Sequence, residues 1–107
     1  MSERHTSIQT RSRAEVQELV RSKSRSPTLR RSVSARIRDG DTDQYDLRQC
    51  LSSGVVTDVG CFEDGILATV LGHDTRGLDL VAVVYISDDE TDPLLIEDFV
   101  ASWSLQR

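Results

Sequence analysis

The stretch "RSKSRSPTLRRSVSARIR" at residues 21–38 holds seven Arg or Lys, five Ser and no carboxylate, in a chain of formal net charge −5. Within it, Arg30, Arg31, Arg36 and Arg38 are the side chains best suited to hold phosphate. A guanidinium presents a planar, permanently charged fork of donors that matches phosphate oxygens. If residues 32–39 are helical, Ser32, Arg36 and Asp39 share one face and Arg31 stands at the helix entrance. Two guanidiniums converging there would make an anion site at a helix N-terminus. The competing arrangement pairs these arginines with Asp41, Asp43 or Asp46, and the residue types allow both.

Cleavage of RNA without a metal needs three things: an activated ribose 2′-hydroxyl, a stabilised phosphorane and a protonated leaving oxygen. Arg36 would supply the charge. His73, at a strand end beside a turn, is the histidine placed to move protons, whereas His5 falls in an N-terminal tail. Tyr45 would donate a phenolic proton or stack on a base. Each has a plainer role open to it. For His73 the plainer and commoner role is that of a solvated turn residue, and Tyr85, in the most apolar segment, reads as core.

No metal or cofactor is expected. Cys50 and Cys61 share no ligand-knuckle spacing with each other or with the two histidines, and they read as isolated small apolar thiols. The acidic "SDDETDP" lacks the glycine and ligand spacing of a calcium loop, so it reads as a solvated turn. "LRRSVS" matches a basophilic kinase pattern too short to carry weight.

The elements that must position these residues follow from periodicity. In "SRAEVQELVRSK", Ser12 and Glu15 have capping-box spacing and Val16, Leu19 and Val20 form one apolar stripe, so a helix is expected over 13–22. Pro27 ends any continuation, and residues 28–30 read as a short extended piece. Ser32 is the expected N-cap of a short helix that stops at Gly40. Thr42 is the expected cap of a third helix, with Leu47, Cys50 and Leu51 buried and Gly54 as its stop.

After Gly54 the apolar period drops to two. Strands are expected over 55–62, 66–73, 78–86 and 94–100, joined by short turns as an antiparallel meander. The third, apolar on both faces around 81–85, should be central and covered by helix. The expected architecture is α+β, with N-terminal helices packed on one face of a four-stranded antiparallel sheet. At 107 residues this is one domain, with residues 1–10 as a flexible tail and 11–107 as the fold. There is no apolar run of the roughly 18 residues that a membrane span needs and no apolar leader, so a cytoplasmic protein is expected.

This order of parts is similar to a small bacterial family of uncharacterised domains near the RelE, HigB and MqsR toxins. The resemblance covers about residues 14–100. It rests on the Arg-x-x-x-x-Arg-hydrophobic pattern at 31–37, "LSSG" at 51–54, Gly-x-Asp-x-x-Gly at 72–77 and the strand "LDLVAVVY". It implies a RelE/MqsR-like fold with a basic cleft, an antitoxin partner, and metal-independent endoribonuclease activity on messenger RNA. The family commonly carries Arg-His-Ala-x-x-Arg here, whereas this chain reads Arg31-Ser32-Val33-Ser34-Ala35-Arg36. Ser32 therefore stands where the proton-transfer histidine would be.

Charge divides along the chain. Residues 1–38 carry ten Lys or Arg against three Glu, and residues 39–107 carry three Arg against fifteen acids. Three uses fit this split. One is a toxin-like protein that contacts RNA through its basic segment. Another is a non-enzymatic interaction protein, a degenerate toxin or a phage- or plasmid-borne inhibitor, that offers its acidic sheet to a protein partner. The third is a homodimer in which basic arm and acidic sheet meet between subunits.

Overall fold

The computed structural model of the chain describes residues 12–40 and 42–101. Helix α1 spans Arg13–Lys23 and begins with the capping box expected of its sequence. The Glu15 amide donates to Ser12 Oγ at 3.2 Å, and the Ser12 amide donates to Glu15 Oε1 at 3.0 Å. Two of the donors that every helix N-terminus leaves unpaired are thereby satisfied. Val16 and Val20 are fully buried, with Leu19 packed against them.

The chain then forms β1, Thr28–Leu29, which runs parallel to the last strand. The Thr28 amide donates to Leu94 O at 2.7 Å and the Arg30 amide to Ile96 O at 3.1 Å. The sheet is therefore five-stranded and mixed, not four-stranded and antiparallel. The extended piece expected at 28–30 is there, but two residues cannot display a period of two, so nothing local marks it as a strand of the sheet. Their pairing is made by a segment more than sixty positions away. Pro27, which has no amide hydrogen to give, suits the entry to an edge strand.

Helix α2 covers Arg31–Arg38, and its N-cap is Arg30, which makes no side-chain cap bond. Ser32 lies inside the helix instead of capping it. The ladder to Ile96 already holds the Arg30 backbone extended, so the helix starts where that strand lets go. Gly40, at φ 88°, ends it, its amide donating to Ile37 O at 3.0 Å. Helix α3 covers Gln44–Ser53, capped by Asp43 in place of Thr42, with the Asp46 amide donating to Asp43 Oδ1 at 2.8 Å.

Strands β2 (Val55–Phe62), β3 (Gly65–His73), β4 (Asp79–Ser87) and β5 (Leu95–Ala101) follow as the expected meander, and the sheet order is β1-β5-β4-β3-β2. Two glycines let α3 sit almost on the backbone of β3. A Cβ at Gly72 would lie 2.5 Å from Cys50 O, and one at Gly54, the C-cap of α3, would lie 2.9 Å from Leu71 O. The "LSSG" and Gly-x-Asp-x-x-Gly signals thus mark close helix–sheet approach.

Alternation decides which side of the sheet is core. Val56, Ile66, Ala68, Val70, Leu80, Ala82, Val84, Ile86, Ile96 and Phe99 face the three helices and are at most 3% exposed. Burying each large apolar side chain contributes roughly 1.5–3 kcal/mol. β4 is central as expected, but helix covers one of its faces only. Cys50 is buried in this core, while Cys61 is exposed on β2. No helix among the described residues is long and apolar enough to cross a membrane.

Candidate functional site

The four candidate phosphate-binding arginines, Arg30, Arg31, Arg36 and Arg38, divide into two pairs. Arg30 forms an ion pair with Glu97 on β5. Arg36 Nη1 donates to Asp98 Oδ1 at 2.9 Å and to Phe99 O at 3.0 Å, and its guanidinium lies 3.9 Å from the Phe99 ring centre. β1 pairs only with Leu95 and Ile96, so the rest of β5 is a sheet edge, and Arg36 closes it. Arg31 and Arg38 are exposed and make no ion pair among the described residues. The alternative of self-pairing thus holds for Arg30 and Arg36, with carboxylates of β5 and not with Asp43 or Asp46; Asp41 lies outside the described residues.

His73 ends β3 opposite Asp79 on β4, with Nδ1 3.5 Å from Asp79 Oδ1 and both side chains exposed. Tyr45 stands on the first turn of α3, 63% exposed, with the Arg48 guanidinium 4.8 Å from its ring centre. Arg36 thus reaches β5, His73 faces Asp79 and Tyr45 meets Arg48, so these contacts lead to three different partners. His5 lies outside the described residues.

Two buried carboxylates organise the end of the molecule near α3, and sequence reasoning assigned them no such role. Asp46 accepts from the Thr75 amide at 2.8 Å, from Thr75 Oγ1 at 2.6 Å and from Thr42 Oγ1 at 3.2 Å. Burial acts to raise its pKa, but these bonds outweigh burial and hold it below the ordinary carboxylate value. Asp74 accepts from the Arg76 and Leu78 amides at 2.8 and 2.9 Å and pairs with the Arg76 side chain. Its carboxyl is likewise lowered, burial again opposing and the hydrogen bonds prevailing. Together they lock the β3–β4 turn onto α3. The legible signal was Asp74 opening "DTRG", an Asx-turn signature. Asp46 gave none beyond its place in a helix N-terminus.

At the acidic loop after β4, Lys23 Nζ donates to Asp92 O at 2.6 Å and Glu90 O at 3.1 Å, so an ammonium from α1 holds it. At the other sheet edge the Gln17 amide acts as a strand peptide would. It donates to Gly54 O at 2.9 Å and accepts from the Val56 amide at 2.7 Å.

The side of the sheet away from the helices is a second surface. Strand register puts Val55, Leu71, Val81 and Val100 in one row across β2, β3, β4 and β5. At about 4.8 Å per strand, the row is about 14 Å long. Val55, Leu71 and Val100 are 58%, 45% and 37% exposed. The next row holds Asp58, Thr69, Val83 and Asp98, and the one after it Gly60, Leu67, Tyr85 and Leu95. Tyr85 is thus on this face and not in the core, its hydroxyl donating to Asp64 Oδ1 at 3.1 Å. β2 to β5 contain no Lys or Arg.

No family model, no curated protein and no solved structure matches this chain.

Proposed function

We propose that this chain is a non-enzymatic interaction protein whose exposed sheet face docks a partner protein carrying apolar side chains among basic ones. One observation carries this reading: the row Val55, Leu71, Val81 and Val100, left accessible on a face whose strands carry no Lys or Arg. Monomeric proteins rarely leave contiguous apolar surface of this kind without a use for it. Asp58 and Asp79, exposed on the same face, set the charge of the partner. A second copy fits less well, because two such faces would oppose carboxylate to carboxylate.

Leu71→Lys tests the reading. Leu71 lies near the middle of the row and is accessible, so the fold should tolerate the change to within ~0.5 kcal/mol. Wild-type and Leu71→Lys chains, matched by circular dichroism, would capture proteins from lysate, and the captured protein would then be titrated. The expected result is a basic-surfaced partner bound at least about tenfold more weakly by Leu71→Lys, a loss of ~1.4 kcal/mol, and more weakly as salt screens the contact. Equal binding by both chains, or recovery of nucleic acid alone, sinks the idea.

A second reading, a RelE/MqsR-like toxin that contacts or cleaves RNA and is held by an antitoxin, is favoured by the two exposed arginines Arg31 and Arg38. A ribonuclease assay on the purified chain tests its enzymatic form. Cleavage that falls with His73→Ala supports it, and no cleavage removes it.

A further inference from the structure

The loop between α1 and β1 meets the outer side of α3 at two adjoining hollows. One, of about 570 Å³, is lined by Ser24, Arg25, Tyr45, Arg48 and Gln49 among others. The other, of about 330 Å³, lies between Pro27, Gln44 and the same two arginines. Among the described residues no carboxylate lines either one, in a chain with eighteen acids. By contrast, the larger hollow beside α3 includes Asp43 and Asp46, and the one beside Lys23 includes Glu90 and Asp92.

The arginines here are differently committed from Arg30 and Arg36. Arg25 is exposed and makes no ion pair among the described residues. Arg48 gives one long bond, 3.4 Å, to Arg25 O and lies 4.8 Å from the Tyr45 ring centre. Most of its donors are therefore available to an anion. The Tyr45 ring already has a cation against one face and remains 63% exposed, leaving area for a flat group to stack. A planar group beside a phosphate is the description of a nucleotide, and an aromatic ring flanked by cations is how proteins commonly hold one.

We propose that Tyr45, Arg25 and Arg48 form a nucleotide-binding site, with the base stacked on Tyr45 and the phosphate taken by the two guanidiniums. The site is on the helical side of the molecule and is independent of the sheet-face reading. The nucleotide is either free or one unit of a single strand, and the two sources are separable by experiment.

Fluorescence anisotropy with a labelled short oligouridylate at low salt, competed by unlabelled UMP, supplies both arms. Tyr45→Ala should weaken binding about tenfold, whereas Tyr45→Phe, which keeps the ring, should retain it. Arg25→Ser and Arg48→Ser should each lower the slope of log affinity against log salt by about 0.7, one phosphate contact. Arg13→Ser, which removes the same charge at the far end of α1, should leave that slope unchanged. Competition by UMP with the same Tyr45 dependence assigns a free nucleotide, and oligouridylate binding without it assigns a strand. The proposal is overturned if neither probe binds. It is equally overturned if Tyr45→Ala is silent while Arg13→Ser weakens binding as much as Arg25→Ser, since that is charge without a site.

Discussion

Asp46→Ala is the change that most directly tests how this fold is held. The carboxylate is 6% exposed and accepts three side-chain or backbone donors, two of them from Thr75 and one from Thr42. Hydrogen bonds to a charged group contribute roughly 1.5–3 kcal/mol, and removing the acceptor also leaves the Thr75 amide short of a partner. The threonine hydroxyls can turn to water, so the three bonds do not add in full. A loss of ~2–4 kcal/mol at pH 7 is expected, a large share of the ~5–15 kcal/mol typical of a domain. The pH dependence gives the sharper check. The Asp46 carboxyl titrates lower in the folded chain than in the unfolded one. Its stabilisation is therefore complete above the unfolded pKa of ~3.9, and is lost as pH falls through the folded value. Urea unfolding of both proteins should give a gap that is constant from neutral pH to about 5 and narrows below about 4. A gap under ~1 kcal/mol at pH 7, against the bond energies above, would refute the reasoning. So would a gap that does not narrow in acid.

Two further outcomes follow from other parts of the structure. Arg36→Ala removes the donor that closes the β5 edge, the ion pair with Asp98 and the cation over Phe99. It should cost ~1–2 kcal/mol and raise self-association at high concentration, read by urea unfolding and light scattering. Cys61 should react promptly with a thiol reagent at pH 8. Cys50, pushed up to about 12 chiefly by burial, should react only on unfolding, and equal rates would contradict the packing of α3 on β3.

Most elements were legible because their signals are local. The Ser12–Glu15 box, the stripe Leu47-Cys50-Leu51 and the change to a two-residue period after Gly54 each depend on neighbours within a turn or a strand. What was not legible depends on distant partners. β1 exists because Leu94 and Ile96 offer carbonyls to it. Ser32 lost its capping role because that same pairing moved the helix start back to Arg31. The candidate site divided in the same way. Tyr45 was identifiable as a ring able to stack on a base or give a proton, but Arg48 looked like one more helix arginine until the fold set it over that ring. Arg36 looked like a free phosphate ligand until β5 brought Asp98 beneath it.

The charge split therefore has a structural meaning that the linear sequence could only hint at. Among the described residues every Lys or Arg except Arg76, in the β3–β4 turn, belongs to the helical layer and its loop, while β2 to β5 contain acids and no Lys or Arg. Part of the opposition is used internally, where Arg30 and Arg36 meet Glu97 and Asp98 and where Lys23 holds the acidic loop. The remainder points outward in opposite senses. Arg25 and Arg48 face a hollow that no described carboxylate lines on one side, and an apolar face whose strands carry aspartates and no Lys or Arg lies on the other. Fields of opposite sign on opposite sides attract different ligands and repel each other's. A nucleotide on the helical side and a basic protein on the sheet side would thus occupy the chain together without competing. Binding of either one in the presence of saturating amounts of the other is expected to stay within about twofold, well below the roughly five- to 150-fold of a coupled pair.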